Sequence, residues 1–451
     1  MEVRKYFTVI DYVLFALFLG LPVVLGIASG LRRNVQTTSR ELLLGHRNLG
    51  VLPMALTLVA TYLSTVSVLG YPAEIYVYGT MFLYYFITYV ITYPLVAYVF
   101  LPTVYPLQLT SVYEVKSLPI KIRLLQYLEL RFNKTARTIG SAIFFMEVLL
   151  YLPVALYAPA LALNSVTGLS IHVAILTTGL AATAYTTVGG STAVVWTSVL
   201  QMVFVFAGIL AVVIFGTISV DGMANVIKYA YAGHRIQFTD FRIDPHVRHS
   251  VWSLVIGGTF VIGSMFSVNQ MSVQRYFAMP TLRSAQWAVL LNIPINILCF
   301  GLLGLCGLVV YASYRFCDPF LFGAIAKPDQ LLTHYVMDKL SGAVGLPGLF
   351  VSALYGAGMS TLANGSTALA AVVLEDFYKP IHRSLSTTVL TGVIGLTLTG
   401  LSLAISSIKS TVIALSIFGI AGGPLLGVFL LGMFFPFANK YVSSLKVVNT
   451  L

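Results

Sequence analysis

Apolar runs long enough to cross a lipid bilayer dominate the sequence, and nothing else in it restricts the fold as strongly. A helix needs ~20 residues to span ~30 Å of hydrocarbon. Eleven such runs can be marked, over residues 9–31, 50–70, 79–104, 137–163, 171–189, 193–217, 251–272, 286–312, 346–374, 386–406 and 410–435. Lipid offers the backbone no hydrogen-bond partner, so these runs predict helices and hence an all-α polytopic membrane protein. The third, eighth and ninth are over-long, which predicts tilt or a break. Composition agrees: 58% of the chain is hydrophobic and 9% charged, with mean hydropathy +0.90. The net charge of +11 is scattered between the runs, which disfavours nucleic acid as a partner and fits a membrane. The cysteines, Cys299, Cys306 and Cys317, offer no disulfide framework and no zinc site.

Basic residues orient the runs. When the loops are alternated between two sides, one side collects 16 of the 26 Lys and Arg, Arg275 among them. By the positive-inside rule this places the N-terminus outside the cell and the C-terminus inside. The first run is longer than the apolar core of a signal peptide and is followed by further runs, so it reads as a retained span. The sequon Asn133-Lys134-Thr135 then faces the cytosol and is expected to stay bare.

Two runs carry signs of a break. The second crowds Thr57, Thr61, Ser64, Thr65 and Ser67 into its middle, with Gly70 and Pro72 marking its end. The seventh, five runs later, holds Gly257, Gly258, Gly263, Ser264, Ser267 and Asn269. Interrupted helices in matching positions of two halves are the sequence signature of an inverted-repeat transporter. The other reading, hydroxyls that bond back along their own helix and glycines that pack helices, stays open for each residue singly. On the ninth run Ala357, Ser360 and Thr361 share one helix face at spacings of three and four. A carbonyl and two hydroxyls suit a hard cation such as Na⁺, although small residues also serve helix packing. Glu147 sits well inside the fourth run and Asp11 near the outer edge of the first. An intramembrane carboxyl is a functional candidate by default. The glycine strips 301–307 and 419–427 read mainly as packing seams, and Tyr84, Tyr85, Tyr89 and Tyr93 as interface anchors mixed with pore-facing rings. No nucleotide, zinc or serine-hydrolase motif is present.

Several ordered blocks resemble one family. GGSTAVVWTSVLQ at 189–201, VNQMSVQRY at 268–276, CDPFLFGAIAKPDQ at 317–330 and GLFVSALYGAGMSTLANGSTALAAVVLEDFYKP at 348–380 resemble the sodium:solute symporter family. SRELLLGHRNLGVLP and YAPALALNSVTGL look like its branch of iodide, multivitamin and monocarboxylate symporters. The likeness runs from about residue 11 to 436. It implies a LeuT-like core of two inverted five-helix units, with one extra N-terminal span, alternating access and Na⁺ as coupling ion without any other cofactor. The implied bounds are 1–48 for the N-terminus, first span and cytosolic loop, 49–218 for the first unit, 219–250 for an extracellular loop and 251–436 for the second unit. A short cytosolic tail, 437–451, would follow.

Carried over by position, the resemblance puts sodium at the backbone carbonyls of Ala60, Leu63 and Ala357 and the hydroxyls of Ser360 and Thr361. It puts the solute at Tyr62, Ser67, Tyr89, Ile262 and Phe266. The iodide member has Gln in place of Ser67 and Tyr89, and Trp and Tyr in place of Ile262 and Phe266, so the lining here suits a small organic anion with an apolar tail. A monocarboxylate or a carboxylate vitamin is expected, imported across the plasma membrane. The chain departs from the pattern at Ser198, where Asp is usual, at LANGST 362–367, and at Val115–Gln126, which reads as an insertion. It also reads as truncated after the second unit. The alternatives are a transport-inactive family member acting as a regulator and, less well supported, a membrane-embedded enzyme.

Overall fold

The computed structural model describes residues 7–31, 49–108, 124–244, 246–378, 386–405, 413–435 and 437–438. Arg32, Arg33, Arg40 and Arg47 lie outside them, as do most of the expected insertion 115–126 and all but the first two residues of the tail 437–451. Every regular element among the described residues is helical. In chain order, short 3₁₀ turns at Tyr105–Gln108 and Pro328–Gln330 aside, these are α1 (Val9–Leu31), α2 (Val51–Tyr62), α3 (Thr65–Tyr78), α4 (Thr80–Val104), α5 (Leu124–Arg131), α6 (Lys134–Thr167), α7 (Ile171–Ile218), α8 (Met223–Ala232) and α9 (Ser253–Val268). There follow α10 (Gln270–Phe277), α11 (Leu282–Ser313), α12 (Leu331–Lys339), α13 (Leu346–Tyr378), α14 (Thr387–Ile405) and α15 (Ile413–Phe434).

Eight of these helices are long and apolar enough to cross a membrane, and the bent pairs α2–α3 and α9–α10 each form one more crossing. Inside α7, Gly190 has φ 63° and ψ −167°, a conformation essentially confined to glycine. It divides α7 into two arms, 171–189 and 191–218, so the described residues hold eleven crossings, as the apolar runs predict. The over-long third crossing is relieved by a 3₁₀ start at Thr80–Tyr84 and a π segment at Val96–Phe100. The ninth ends in a π segment, Val373–Tyr378.

The first break differs in place from its sequence expectation. The helix does not end at Gly70 and Pro72, which lie within α3. It is interrupted earlier, at Leu63 (φ −77°, ψ 73°) and extended Ser64, where the chain bends by 68°. Ser64 N–H donates to Tyr62 O at 2.9 Å instead of to Ala60 O, as a continuing helix would require. α3 stops at Gly79, whose φ is 86°. The second break falls at Asn269, extended at φ −81° and ψ 131°, with a bend of 47°. Its side-chain oxygen accepts from Met271 N–H at 2.9 Å, the capping that makes Asn a natural helix start. Each break opens a series of five crossings.

Loops expected on one side are tied to each other. At one end of the bundle Arg235 Nε donates to Tyr76 O, Tyr76 to Asp318, and Arg248 and His249 both reach Glu74. At the other end Tyr105 bonds Met279 O, Arg137 pairs with Glu129 and Asp376, and Arg131 bonds Gly432 O. Two charges sit differently from the sequence reading. Asp11 does not reach outward; it is buried and accepts from Gly348 N–H at 3.0 Å, satisfying a free donor in the first turn of α13. Arg275 is not in a loop but is, among the described residues, the largest fully buried side chain, 1% exposed. The basic bias persists without it. In the glycine strips Gly307 packs against Pro72 and Ile75 and Gly422 against Ser264, as expected of seams, whereas Gly423 and Gly427 meet no neighbour among the described residues.

Candidate functional site

α2 ends in mid-bundle, so its last carbonyls have no helical donor. Ala60 O is met by Ser360 Oγ of α13 at 3.3 Å. One turn along the same face, Thr361 Oγ1 donates to Ala357 O at 3.0 Å. The break thus sets Ala60 against Ser360, on the face of α13 that also carries Ala357 and Thr361; all four are buried, as is Leu63, which lies where helical backbone ceases. Just past it Thr65 Oγ1 donates to Leu354 O at 2.6 Å, fixing the start of α3 on α13. The hydroxyl cluster that marked this run divides in two. Thr57 and Thr61 bond back to Pro53 O and Thr57 O, the helix-internal reading, while Ser64 and Thr65 belong to the break.

Behind this face lies a polar layer. Ser360 Oγ also donates to Ser198 Oγ in the second arm of α7 at 3.0 Å. Asn364 Nδ2 donates to Ser360 O at 2.8 Å and to Ser198 Oγ at 3.2 Å. Asn364 Oδ1 accepts from Arg275, whose guanidinium also reaches Ser191 Oγ at 2.9 Å and Thr367 Oγ1 at 3.4 Å. Arg275 forms no ion pair among the described residues. Neutral oxygens disperse its charge, and the Gly190 kink is what brings Ser191 into reach. Sequence reasoning missed Arg275 because a lone Arg at the end of a run is counted as a loop charge.

Of the five residues expected to line a solute site, Tyr62, Tyr89 and Phe266 belong to an adjoining cluster of rings. Tyr62, the last residue of α2, packs its ring on Phe266 of α9 at 5.0 Å. Its hydroxyl donates to Met265 O at 2.6 Å and shares a hydrogen bond with Ser272 of α10 at 2.7 Å. Tyr62 thus spans from one break to the other. Phe266 meets Tyr93 edge-on at 4.9 Å, and Tyr93 stacks with Tyr89 at 5.8 Å. Ile262, buried, lies one turn before Phe266 on α9. Ser67 is half-buried at the first break, with Oγ donating to Tyr62 O at 3.3 Å. Tyr93, one of the tyrosines read as anchors mixed with pore-facing rings, joins this cluster, and Phe418 and Tyr151 complete it without having been singled out; Phe418 lies 4.5 Å from Tyr151 and 6.0 Å from Tyr62. Glu147, one turn before Tyr151 on α6, accepts from Asn269 Nδ2 at 2.8 Å. Oxygens with one polar face and no fixed charge can hold a small cation, and the aromatic wall beside them can hold an apolar body.

Comparison with known proteins gives this geometry a context. The model of the sodium:solute symporter family matches residues 42–442. Sodium-coupled monocarboxylate transporter 1 of Xenopus laevis is 40% identical over 444 residues, covering 96% of this chain and 69% of that protein. The sodium-dependent multivitamin transporter of Oryctolagus cuniculus is 40% identical, over 97% of this chain and 68% of its own length. The sodium/iodide cotransporter of Homo sapiens is 39% identical, over 97% and 67%. A solved structure of a Na⁺-coupled sialic acid symporter, in a substrate-bound outward-open state, superposes with a TM-score of 0.85 at 20% identity, over 98% of this chain and 97% of that one.

Proposed function

The chain belongs to the sodium:solute symporter family, a family of sodium-coupled transporters and not of enzymes, with a LeuT-like core, and from that premise we propose that it imports a small organic anion together with Na⁺. A short monocarboxylate or a carboxylate vitamin is the solute class. The observation that carries this reading is the junction of the two breaks. A freed carbonyl at Ala60 meets the Ser360 hydroxyl, and Tyr62, two residues on, opens onto an apolar aromatic wall.

In this reading Na⁺ is held by the carbonyls of Ala60, Leu63 and Ala357 and by the hydroxyls of Ser360 and Thr361. To do so Ser360 and Thr361 turn their lone pairs to the ion and release the hydrogen bonds they now donate. The ion then fastens α2 to α13, and the geometry it favours is the one in which Tyr62, Ser67, Tyr89, Ile262 and Phe266 close on the solute. The solute's tail packs against the rings, and its carboxylate meets helix ends exposed at the breaks, where partial positive charge is concentrated. Each Na⁺ moving inward gains about 2.3 kcal/mol per 100 mV, which drives accumulation without ATP. The protein resides in the plasma membrane with its N-terminus outside. Residues 49–218 and 251–436 form the two inverted units, which rock about the shared breaks.

The test is uptake of labelled lactate, nicotinate, pantothenate, biotin and iodide by cells expressing this chain, in Na⁺ buffer and in choline buffer. Accumulation of one organic anion only in Na⁺ supports the proposal and identifies the solute. Accumulation of iodide alone, or uptake equal in choline, would overturn it. Surface protein with no uptake of any probe would favour the transport-inactive regulator.

A further inference from the structure

Glu147 is a buried carboxyl at the solute wall for which neither the sodium face nor the aromatic packing supplies a role. It lies in the middle of α6, 2% exposed. Asn269 Nδ2 reaches its Oε1, and Oε2 has no hydrogen-bond partner among the described residues. Asn269 is the residue at which the second span breaks, and its other amide atom caps α10. Glu147 is therefore fixed to the break itself. Tyr151, one turn along the same face of α6, packs on Phe418, which packs on Tyr62. The Tyr62 hydroxyl has Glu147, Tyr151 and Tyr276 as its titratable neighbours. The carboxyl thus stands at the edge of the wall assigned to the solute.

Among the described residues no cation offsets it. The titratable group among them that interacts with Glu147 is the Tyr62 hydroxyl of α2; Glu147 has no charged partner, and α5, α7, α12, α13, α14 and α15, which also pack on α6, bring no charged group to it. Asn269 is neutral, and Arg275 of α10 is turned away to Ser191, Asn364 and Thr367. A carboxylate here would confront the carboxylate of the solute across a water-poor space, where like charges repel strongly. The same group carrying a proton has a donor to give, and a carboxylic acid to carboxylate hydrogen bond is among the stronger kinds.

We propose that Glu147 is a specificity-determining residue of the solute site, which accepts an organic carboxylate only while Glu147 is protonated and donates its hydrogen bond to it. The proposal rests on the organic-anion reading above. The proton stays on Glu147 while the solute is bound, so the device makes affinity depend on pH without requiring net proton transport.

The experiment is Na⁺-dependent uptake of labelled lactate and pantothenate by the full chain from about pH 6 to 8.5, a range in which both probes are fully ionised, so that only the protein titrates. In the wild type the KM is expected to rise with pH, approaching tenfold per unit, about the limit for one linked proton. Glu147→Gln, a neutral donor of the same shape, is expected to hold the KM within twofold across the range. Glu147→Asp, which can still titrate, is expected to restore the dependence. A wild-type KM that does not vary with pH, or a Glu147→Gln protein at the surface that follows the wild-type profile, would overturn the proposal. The first of these needs no variant to fold. Absence of Na⁺-dependent uptake of either probe by the wild type would instead remove the organic-anion reading on which it stands.

Discussion

The helix face shared by Ala357, Ser360 and Thr361 follows from their spacing, and the structure sets the carbonyl of Ala60, expected from the resemblance, against Ser360. A neutral polar contact that replaces one to water is worth about 1 kcal/mol net, and each proposed hydroxyl ligand is taken on that scale. Ser360→Ala and Thr361→Ala are each expected to raise the half-saturating Na⁺ concentration roughly fivefold, with surface abundance similar to wild type. Sodium titration of uptake checks this, and unchanged curves in both variants would move the ion elsewhere. Arg275 was illegible for a physical reason. Its burial depends on Ser191, Asn364 and Thr367, from two helices distant in sequence, and no local pattern reports such a convergence. Replacement by Lys keeps the charge but not the planar fork that reaches three acceptors. Arg275→Lys should cost about 1–3 kcal/mol for the acceptors left unpaired, read as a lower thermal midpoint of the detergent-solubilised protein.

At the level of elements, the number of crossings and the existence of both breaks were readable, because apolar length and clustered Ser, Thr, Gly and Asn are local properties. The place of the first break was not. Gly70 and Pro72 are the stronger breakers by propensity, yet Pro72 is accommodated within α3, and the chain opens at Leu63 because Thr65 and Ser360 anchor both sides of the gap to α13. Tertiary contacts overrode propensity. Asp11 teaches the same lesson, since a carboxyl near a helix end could face water or a neighbouring helix, and only the fold decides. The kink at Gly190 yields a prediction that belongs here. Its backbone region costs a residue with a Cβ about 1–3 kcal/mol, and the kink positions Ser191 against Arg275. Gly190→Val should therefore lower the folded yield, whereas substitution of Gly257 or Gly423, where an added Cβ would meet nothing, should leave it near wild type. Fluorescence-detected size exclusion of tagged variants measures the difference.

For the molecule as a whole, the sequence offers an orientation and the structure offers two ends; joining them gives a test. The loop containing Cys317 shares its end of the bundle with Glu74, Arg235 and Arg248 through the bond between Tyr76 and Asp318. The opposite end carries Arg131, Arg137 and the close pair of Arg137 with Asp376. The positive-inside rule assigns this second end to the cytosol, which puts Cys317 outside. Cys317 is exposed, whereas Cys299 and Cys306 are buried in α11, so a thiol reagent has one accessible target. A membrane-impermeant maleimide applied to intact cells should label the wild type and leave Cys317→Ser unlabelled. Labelling that appears only after permeabilisation would reverse the orientation and place the N-terminus inside. The inward electrical driving force on Na⁺ would then enter the bundle from the end bearing Arg131 and Arg137, and the direction of transport assigned to the paired breaks would have to be reversed with it.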